Sequence, residues 1–161
     1  MFQILYSYIY SMEILYLLNK EEKVSRSLYD LWQRSYRVEA NIVGVTNFPP
    51  LNRTELTFQN TITKFIGILD ENRLVTALEF LIKGNVLDIY SLVVDPDFFR
   101  KGYGQKIMSF VLNKMDWEKA IVETAEKNLP AISLYKKLGF EIVETYSGEM
   151  GISKVKLEKQ K

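Results

Sequence analysis

The chain has 161 residues, of which 47% are hydrophobic and 13% aromatic, enough for a single domain over residues 1–161 with a sizeable core. Its 21 basic and 20 acidic residues give a net charge of +1, so no overall field would recruit nucleic acid or a membrane surface. Cysteine and histidine are both absent, which excludes disulfides, thiol nucleophiles, zinc fingers and a Ser-His-Asp triad.

The first eighteen residues carry one charged side chain, Glu13. They lack the basic start and small-residue cleavage site of a signal peptide, and they hold more polar groups than a membrane span tolerates. We therefore expect a cytoplasmic protein in which residues 1–11 form an N-terminal extension and residues 12–18 form the first strand.

A helix is predicted after this strand. Asn19 can cap the helix, and Glu21 and Glu22 lie in a first turn where the helix dipole favours acidic side chains. The helix should end near Val38 or slightly beyond, before Gly44. Its inward stripe consists of Leu28, Leu31, Trp32, Ser35 and Tyr36.

Prolines interrupt the pattern that follows. Residues 47–50 should form a loop, because Pro49 and Pro50 fit neither a helix interior nor a central strand. Residues 53–64 predict a second, weaker helix. Apolar runs separated by short polar turns then predict a three-stranded antiparallel meander, with strands at residues 65–69, 74–82 and 86–94.

The third strand of the meander runs into a turn that is rich in glycine. Asp95 and Pro96 end the strand near Val94, and Gly102 and Gly104 precede apolar residues at helical spacing. Those apolar residues are Ile107, Met108, Val111, Leu112 and Met115. Backbone N–H groups at the start of a helix lack partners and face the positive end of its dipole, so this turn can bind an anion.

Two interpretations of the turn stay open on the residues alone. It is either an anion-binding loop, to which Arg100 and Lys101 add positive charge, or an ordinary strand-to-helix turn with a solvated basic pair. No Gly-Lys-Ser/Thr sequence follows, and Ile107 stands where the dinucleotide-binding fingerprint needs a small residue. Neither familiar nucleotide-binding loop is present.

The rest of the chain predicts a strand, a helix and a final pair of strands. Residues 120–124 form the strand, and the helix opens at Asn128 and ends at Gly139. Residues 140–145 and 152–157 form the pair, and the second of these strands could pair across a homodimer. The basic run at residues 154–161 is interpreted as a solvated, fraying tail.

Two segments resemble motifs of the GNAT superfamily of N-acyltransferases. Val94-Asp95-Pro96 followed by Arg100-Lys101-Gly102-Tyr103-Gly104 is similar to the acetyl-CoA pyrophosphate loop, Gln/Arg-x-x-Gly-x-Gly/Ala, with Phe99 in the Gln/Arg position. The segment from Asn128 to Phe140 is similar to the family's Asn-x-x-Ala-x-x-x-Tyr-x-x-x-Gly-Phe segment. The two motifs occur in the family's order, and the resemblance is strongest from Leu87 to Glu144.

The resemblance implies a mixed α/β fold in which an antiparallel N-terminal meander leads to a central pair of strands that splay apart. It also implies that acetyl-CoA is the co-substrate, that no metal is needed, and that the acetyl group passes directly to a primary amine of a small molecule or peptide. In such a protein the pantetheine arm bonds to the backbone at Leu92, Val93 and Val94, and an N–H near Val94 polarises the thioester carbonyl. The pyrophosphate is held by Phe99, Arg100, Lys101, Gly102, Tyr103, Gly104 and Gln105.

By the same resemblance, Tyr135 is the acid that protonates the leaving thiolate and Asn128 contacts the CoA arm. Without the motif, Tyr135 would be read as a packing residue and Asn128 as a helix cap. Lys136 and Lys137 either reach the CoA phosphate or are solvated. Phe48, Pro49 and Pro50 are candidates to line the acceptor site, or else form a rigid surface connection.

The general base is less well defined by the sequence. Glu79 in the middle of a strand and Asp88 at the start of the next strand could each take an amine proton through water. Either carboxylate could instead belong to the wet face of the sheet. Glu39, late in the first helix, is a further acidic candidate for holding a cationic acceptor.

Two other functions remain compatible with the sequence. One is a non-catalytic acyl-CoA-binding sensor or interaction module on the same scaffold. The other is an α/β phosphate-binding protein that does not use CoA. Thiol release in the presence of an amine separates an enzyme from a sensor, and selective stabilisation by acetyl-CoA over simple phosphates excludes the third reading.

Overall fold

The structure, a computed structural model, describes residues 13–161 and consists of seven strands and four α-helices. The expected extension at residues 1–11 lies outside the described residues. The strands are β1 (Ile14–Leu17), β2 (Lys64–Asp70), β3 (Arg73–Lys83), β4 (Val86–Val94), β5 (Lys119–Ala125), β6 (Glu141–Ser147) and β7 (Ser153–Gln160). The helices are α1 (Glu22–Val43), α2 (Glu55–Asn60), α3 (Tyr103–Lys114) and α4 (Leu129–Lys137).

All seven strands form one mixed sheet in the order β1-β2-β3-β4-β5-β7-β6. The predicted antiparallel meander is confirmed, because β2 pairs with β3 and β3 with β4, and β1 adds a further antiparallel strand at the edge of β2. The pair β4 and β5 is parallel, and the remaining pairs are antiparallel. The mixed α/β fold class expected from the sequence is therefore confirmed.

The central parallel pair separates partway along its length. Pairing between β4 and β5 runs from Val86 opposite Lys119 to Ile89 opposite Val122. Beyond Ile89, β4 keeps its pairing with β3 up to Val94, opposite Thr76. The far end of β4 therefore has no strand on its β5 side among the described residues, as the predicted splayed pair requires.

Two apolar cores lie on opposite faces of the sheet. The larger core packs α3 and α4 against the sheet and includes Ile66, Leu78, Ile107, Tyr135 and Leu157. The second core packs α1 and α2 against the other face, and its largest side chains form an aromatic cluster in which Trp32 meets Phe58 and Phe65 edge-on. Within residues 13–161, no helix is both long and apolar enough to cross a membrane.

Helix boundaries differ from the prediction in two ways. Glu21 rather than Asn19 precedes α1, because the Asn19 side chain donates to the Phe58 carbonyl at 2.6 Å and joins the chain to α2 instead. The second helix is only six residues long and not twelve. It begins after Thr54, which forms a capping box with Thr57, and it ends at Asn60 because Lys64 already pairs in β2.

The basic run at residues 154–161 was wrongly interpreted as a fraying tail. Those residues form most of β7, which lies inside the sheet with β5 on one side and β6 on the other. Val155 and Leu157 point into the core, while Lys154 and Lys156, which alternate with them, point to the opposite face of the sheet. Both edges of β7 are occupied, so this strand offers no free edge for pairing across a homodimer.

A buried carboxylate joins α1 and β3 to the end of β4. Asp95 is 0% exposed and accepts hydrogen bonds from Arg34 Nε at 2.9 Å, from Arg73 and from the Asp97 N–H at 3.1 Å. Burial alone would raise the pKa of Asp95, but the Asp97 N–H and the guanidinium groups of Arg73 and Arg34 together hold it below its usual value. This network holds the chain at the point where β4 turns towards α3.

Replacing Asp95 by Asn should therefore lower the free energy of unfolding by about 2 kcal/mol at pH 7, because charge-assisted hydrogen bonds are lost. A carboxylate with a depressed folded-state pKa stabilises the fold above its unfolded-state pKa of about 3.9, and the contribution disappears as the pH falls through the folded value. Urea unfolding should show the difference between wild type and Asp95→Asn shrinking below about pH 4. The control Asp97→Asn removes an exposed carboxylate and should cost under about 0.5 kcal/mol.

Candidate active site

The turn between β4 and α3 has a backbone that depends on left-handed residues. Arg100 has φ of 61° and Gly102 has φ of 82°, and Gly102 precedes the first residue of α3. No acidic residue lies in the first turn of α3. The first N–H groups of this helix have no acidic side chain near them in sequence, which is compatible with the anion-binding interpretation of the turn.

Aromatic packing fixes the shape of this turn. The Tyr103 ring is 8% exposed and meets the Phe98 ring edge-on, with the ring centroids 5.6 Å apart. The Lys101 ammonium lies over the Phe98 ring, 4.7 Å from the ring centroid. On the α4 side, Lys137 Nζ donates to Gln105 Oε1 at 3.1 Å, which brings a second cation to the start of α3.

A cleft of about 620 Å³ opens beside this turn, between α1, the end of β4 and α4. It brings together ten of the predicted CoA-binding residues, namely Leu92, Val94, Phe99, Arg100, Gly102, Tyr103, Gly104, Gln105, Asn128 and Tyr135. Val93 and Lys101 do not line it. Val93 is 1% exposed because it points into the core beneath α1, on the opposite face of β4 from its two neighbours.

The cleft leaves backbone groups of β4 uncovered. Asp95 N–H donates to the Val75 carbonyl at 2.8 Å, so the residue before it, Val94, directs its own N–H and C=O towards the opposite edge of the strand. Leu92 has the same orientation two residues earlier. These groups face the side from which β5 has diverged, where an extended ligand could pair with them.

Gly104 leaves room in the same cleft. A Cβ at this position would lie 3.3 Å from Leu134 Cδ2, 3.7 Å from Leu92 Cδ2 and 3.8 Å from Val94 Cγ2. All three of these atoms belong to residues of the cleft wall. A side chain at position 104 would therefore occupy space between β4 and α4 that the glycine keeps open.

A second cavity, of about 670 Å³, lies on the α1 side of the sheet. Phe48, Pro49 and Pro50, the residues that the sequence offered as candidates for lining an acceptor site, line this cavity. The floor crosses the sheet from Glu79 on β3 and Ser91 on β4 to Glu123 on β5. Aromatic rings form much of its wall, contributed by Trp32, Tyr36, Phe48, Tyr90 and Tyr146.

The structure brings Glu79 into this cavity but surrounds it with donors. Glu79 is 3% exposed, and its two oxygens accept from Arg53 at 2.6 and 3.2 Å. Thr63 Oγ1 donates to it at 2.6 Å. The Arg53 guanidinium is itself stacked 4.1 Å from the centre of the Phe58 ring. The three hydrogen bonds from Arg53 and Thr63 occupy three of the roughly four lone-pair sites of the Glu79 carboxylate.

Asp88 is not brought to either cavity. It lies in the paired half of β4, opposite Leu81 on β3 and Ile121 on β5. Six residues separate it from Val94, which corresponds to about 20 Å along an extended strand. The structure therefore separates the two carboxylates that the sequence proposed as bases.

Glu123 is a cavity residue that the sequence interpretation missed. Its carboxylate accepts from Tyr146 Oη at 2.7 Å and from Lys154 Nζ at 3.4 Å. The available signal was a carboxylate within the apolar run of β5, but the approach of β6 and β7 to Glu123 depends on the strand order. Tyr36 was assigned only to the core, although its hydroxyl lies beside Ser91 in the same cavity.

Tyr135 and Asn128 lie close to Glu39 at the inner end of the cleft. Asn128 Oδ1 accepts from the Ala131 N–H at 3.3 Å and so caps α4, while its side chain is also a hydrogen-bond partner of Glu39. Tyr135 is 4% exposed. Burial, and then the charge of Glu39, raise the pKa of Tyr135 well above its usual value, so its hydroxyl stays protonated at neutral pH.

Comparison with known proteins identifies the family. The Acetyltransferase (GNAT) family profile matches residues 25–140, and the chain belongs to this family. It is 34% identical over 138 residues to UPF0157 protein YqkA of Bacillus subtilis, covering 85% of this chain and 40% of that protein. It is 33% identical over 67 residues to the [ribosomal protein bS18]-alanine N-acetyltransferase of Salmonella typhimurium, covering 38% and 45%. The chain thus spans less than half the length of these two relatives.

Solved structures share the fold at low sequence identity. The ribosomal-protein-S18-alanine N-acetyltransferase of Escherichia coli has a TM-score of 0.71 at 19% identity, covering 92% of each chain. The PaiA N-acetyltransferase of Thermoplasma acidophilum, in complex with coenzyme A, has a TM-score of 0.72 at 15% identity, covering 93% of this chain and all of that one. A GNAT acetyltransferase of Elizabethkingia anophelis with acetyl-CoA bound has a TM-score of 0.62 at 18% identity, covering 82% and 89%.

Proposed function

We propose that this chain transfers the acetyl group of acetyl-CoA to a primary amine by direct attack on the thioester. The observation that carries the proposal is the meeting of the two cavities beside the uncovered end of β4, with Glu39 in both walls. One cavity has the anion-binding turn and the other has carboxylates and aromatic rings. Family membership supports acetyl transfer, and structures of this fold with CoA or acetyl-CoA bound support the co-substrate.

The residues present fit the co-substrate. Open N–H groups at the start of α3 suit a diphosphate, and Arg100, Lys101 and Lys137 add positive charge around them. The space at Gly104 suits a narrow arm passing between β4 and α4. The exposed edge of β4 at Leu92 and Val94 suits the amides of that arm, which would lie along it like an additional strand.

Tyr135 is the proposed acid. When bound, acetyl-CoA supplies the acetyl group as a thioester, and its thiolate must gain a proton as the carbon–sulfur bond breaks. Tyr135 lines the cleft, and its raised pKa keeps the hydroxyl in the protonated form that can donate. The Val94 N–H, directed towards the gap, is the proposed donor to the carbonyl oxygen as negative charge develops there.

The acceptor is proposed to be a primary amine of a small molecule or of a peptide. The two relatives named for acetylating the alanine of a ribosomal protein act on an amine, which supports this class. The second cavity, which we call the acceptor cavity, is lined by four carboxylates and two cations. The carboxylates are Glu39, Glu79, Glu123 and Glu149, and the cations are Arg53 and Lys154. This excess of negative charge favours a ligand that arrives as an ammonium ion.

The test of the function is a screen for thiol release with acetyl-CoA and a panel of amines, run beside thermal unfolding with CoA. Acetyl-CoA at about one hundred times its Kd should stabilise the fold by about 2.7 kcal/mol. Stabilisation with thiol release supports the enzyme. Stabilisation without thiol release for any amine would indicate an acyl-CoA sensor, and equal stabilisation by simple phosphates would exclude CoA specificity.

Gly104→Ala tests the fit of the CoA arm. The added methyl would fill the space between Leu92, Val94 and Leu134, so we expect the KM for acetyl-CoA to rise roughly tenfold. The melting temperature should not fall, because alanine favours a helix more than glycine does. The matched control Ser109→Ala, on the same helix outside this cleft, should leave the KM unchanged. An unchanged KM in Gly104→Ala would place the arm elsewhere.

Tyr135→Phe tests the proposed acid. Removing the hydroxyl should lower kcat by about a hundredfold or more, while stabilisation by CoA is retained, because general acid catalysis contributes about 10²–10⁴ in rate. Tyr29→Phe is a matched control, since Tyr29 lies on α1 and packs against the second core. Wild-type kcat in Tyr135→Phe would remove the assignment.

A further inference from the structure

Glu39 has a position that no other described residue shares. Among residues 13–161, it is the one residue that lines both the acceptor cavity and the cleft between α1, the end of β4 and α4, which is the proposed CoA cleft. It lies on the last turns of α1, one turn after Tyr36, and its side chain is half-buried. A thioester held in the cleft and an amine held in the second cavity would share this carboxylate as a neighbour.

The state of the other carboxylates in the acceptor cavity distinguishes Glu39 from them. Glu79 is held by Arg53 and Thr63, and Glu123 by Tyr146 and Lys154. Glu39 makes no ion pair within 4.0 Å in the described part of the chain, and its hydrogen-bond partner is the neutral amide of Asn128. Glu149, which is exposed, also makes no ion pair among the described residues, but it does not line the cleft beside β4. Glu39 is therefore the carboxylate that both lacks an ion-pair partner and lines that cleft.

We propose that Glu39 is the general base that takes the proton from the acceptor amine. This inference rests on the proposed function, since it assigns a residue to that reaction. The reasons are its position between the two cavities, its lack of an ion-pair partner and its approach to Tyr135, the proposed acid. Acid and base would then lie on facing helices, Tyr135 on α4 and Glu39 on α1.

The groups around Glu39 act in opposing directions. Burial raises its pKa above the ordinary value of 4.5, while the Asn128 amide on α4 and the Lys154 ammonium on β7 lower it, and the net shift is upward. Tyr36 and Tyr135 face it as neutral hydroxyls, and Glu79 on β3 is linked to it through Tyr36. A base with a raised pKa is better matched to proton transfer near neutral pH.

The proton balance of the step is complete with these two residues. The ammonium gives one proton to the Glu39 carboxylate, and the amine lone pair forms the carbon–nitrogen bond. The carbon–sulfur bond breaks with its electron pair on sulfur, and the sulfur takes the Tyr135 proton. The second proton lost by nitrogen restores the Tyr135 hydroxyl, and Glu39 releases its proton to water.

The experiment compares Glu39→Gln with wild type over a range of pH, using the amine that gives the fastest thiol release. Wild-type kcat/KM for the amine should fall at acid pH as Glu39 becomes protonated. In Glu39→Gln it should be about a hundredfold lower at pH 7, and it should rise about tenfold per pH unit up to the pKa of the amine, because only the neutral amine can then react. Glu39→Asp should restore part of the rate at pH 7, together with the wild-type fall in kcat/KM at acid pH, which we call the acid limb.

Controls separate this role from a structural one. Asp30→Asn removes an exposed carboxylate of the same helix and should keep the wild-type profile. Glu39→Gln should unfold at no lower temperature than wild type and should keep its stabilisation by CoA, because burial already disfavours the charged carboxylate. In Glu123→Gln, the acid limb should keep its wild-type midpoint.

Two outcomes would overturn the assignment in distinguishable ways. If wild type releases thiol and Glu39→Gln keeps the wild-type rate at pH 7 and the wild-type midpoint of the pH profile, or Glu123→Gln shifts that midpoint instead, the base is wrong while the proposed function stands. If wild type releases no thiol with any amine although CoA stabilises it, the proposed function fails and the base fails with it.

Discussion

The separation of β4 from β5 is the constraint on which the site depends. Parallel pairing between β4 and β5 stops at Ile89 and Val122, but β4 continues to Val94, paired with β3 alone. The N–H and C=O groups of Leu92 and Val94 face away from β3, and a polar group that is buried without a partner costs about 1–3 kcal/mol. The fold therefore contains a groove in which backbone groups are available to bond an extended chain with amides of its own. Asp95 holds the end of β4 in this position through Arg34 and Arg73.

Charge is divided between the two ends of this groove. The turn before α3 carries Arg100 and Lys101, with open helix N–H groups and no acid in the first turn. The other end meets a cavity in which carboxylates outnumber cations. The long helix α1 forms one wall of both regions, so a single element sets the distance between them. Arg34, Tyr36 and Glu39 lie within two turns of this helix, and each is directed at a different part of the site.

Local patterns in the sequence predicted the meander, the turn at Gly102 and Gly104, and the helix that carries Tyr135, because each depends on residues close together in the chain. Features that depend on distant contacts were missed. Asn19 is a good cap by composition, but a bond to the Phe58 carbonyl takes its side chain. Glu79 was predicted either as a general base or as a residue of the wet face, because no local pattern indicates that Arg53, 26 residues earlier, binds its carboxylate. The strand predicted at residues 152–157 is present, but the solvated tail assigned to residues 154–161 is wrong, because β7 continues to Gln160 with period-two burial at Val155 and Leu157.

The insertion of β7 between β5 and β6 has a consequence for the order in which the molecule assembles. β5 pairs with β7 along its whole length, from Lys119 opposite Gln160 to Ala125 opposite Lys154. The outer edge of β5 therefore stays unpaired until residues about thirty to forty positions later in the chain reach it. α4 and β6 come before β7 in the chain, but β6 does not pair with β5 and so cannot cover that edge. Non-local pairing of this kind is a slow step in folding. We expect the half of the molecule that carries Tyr135 to become rigid last, after the meander has already formed its hydrogen bonds.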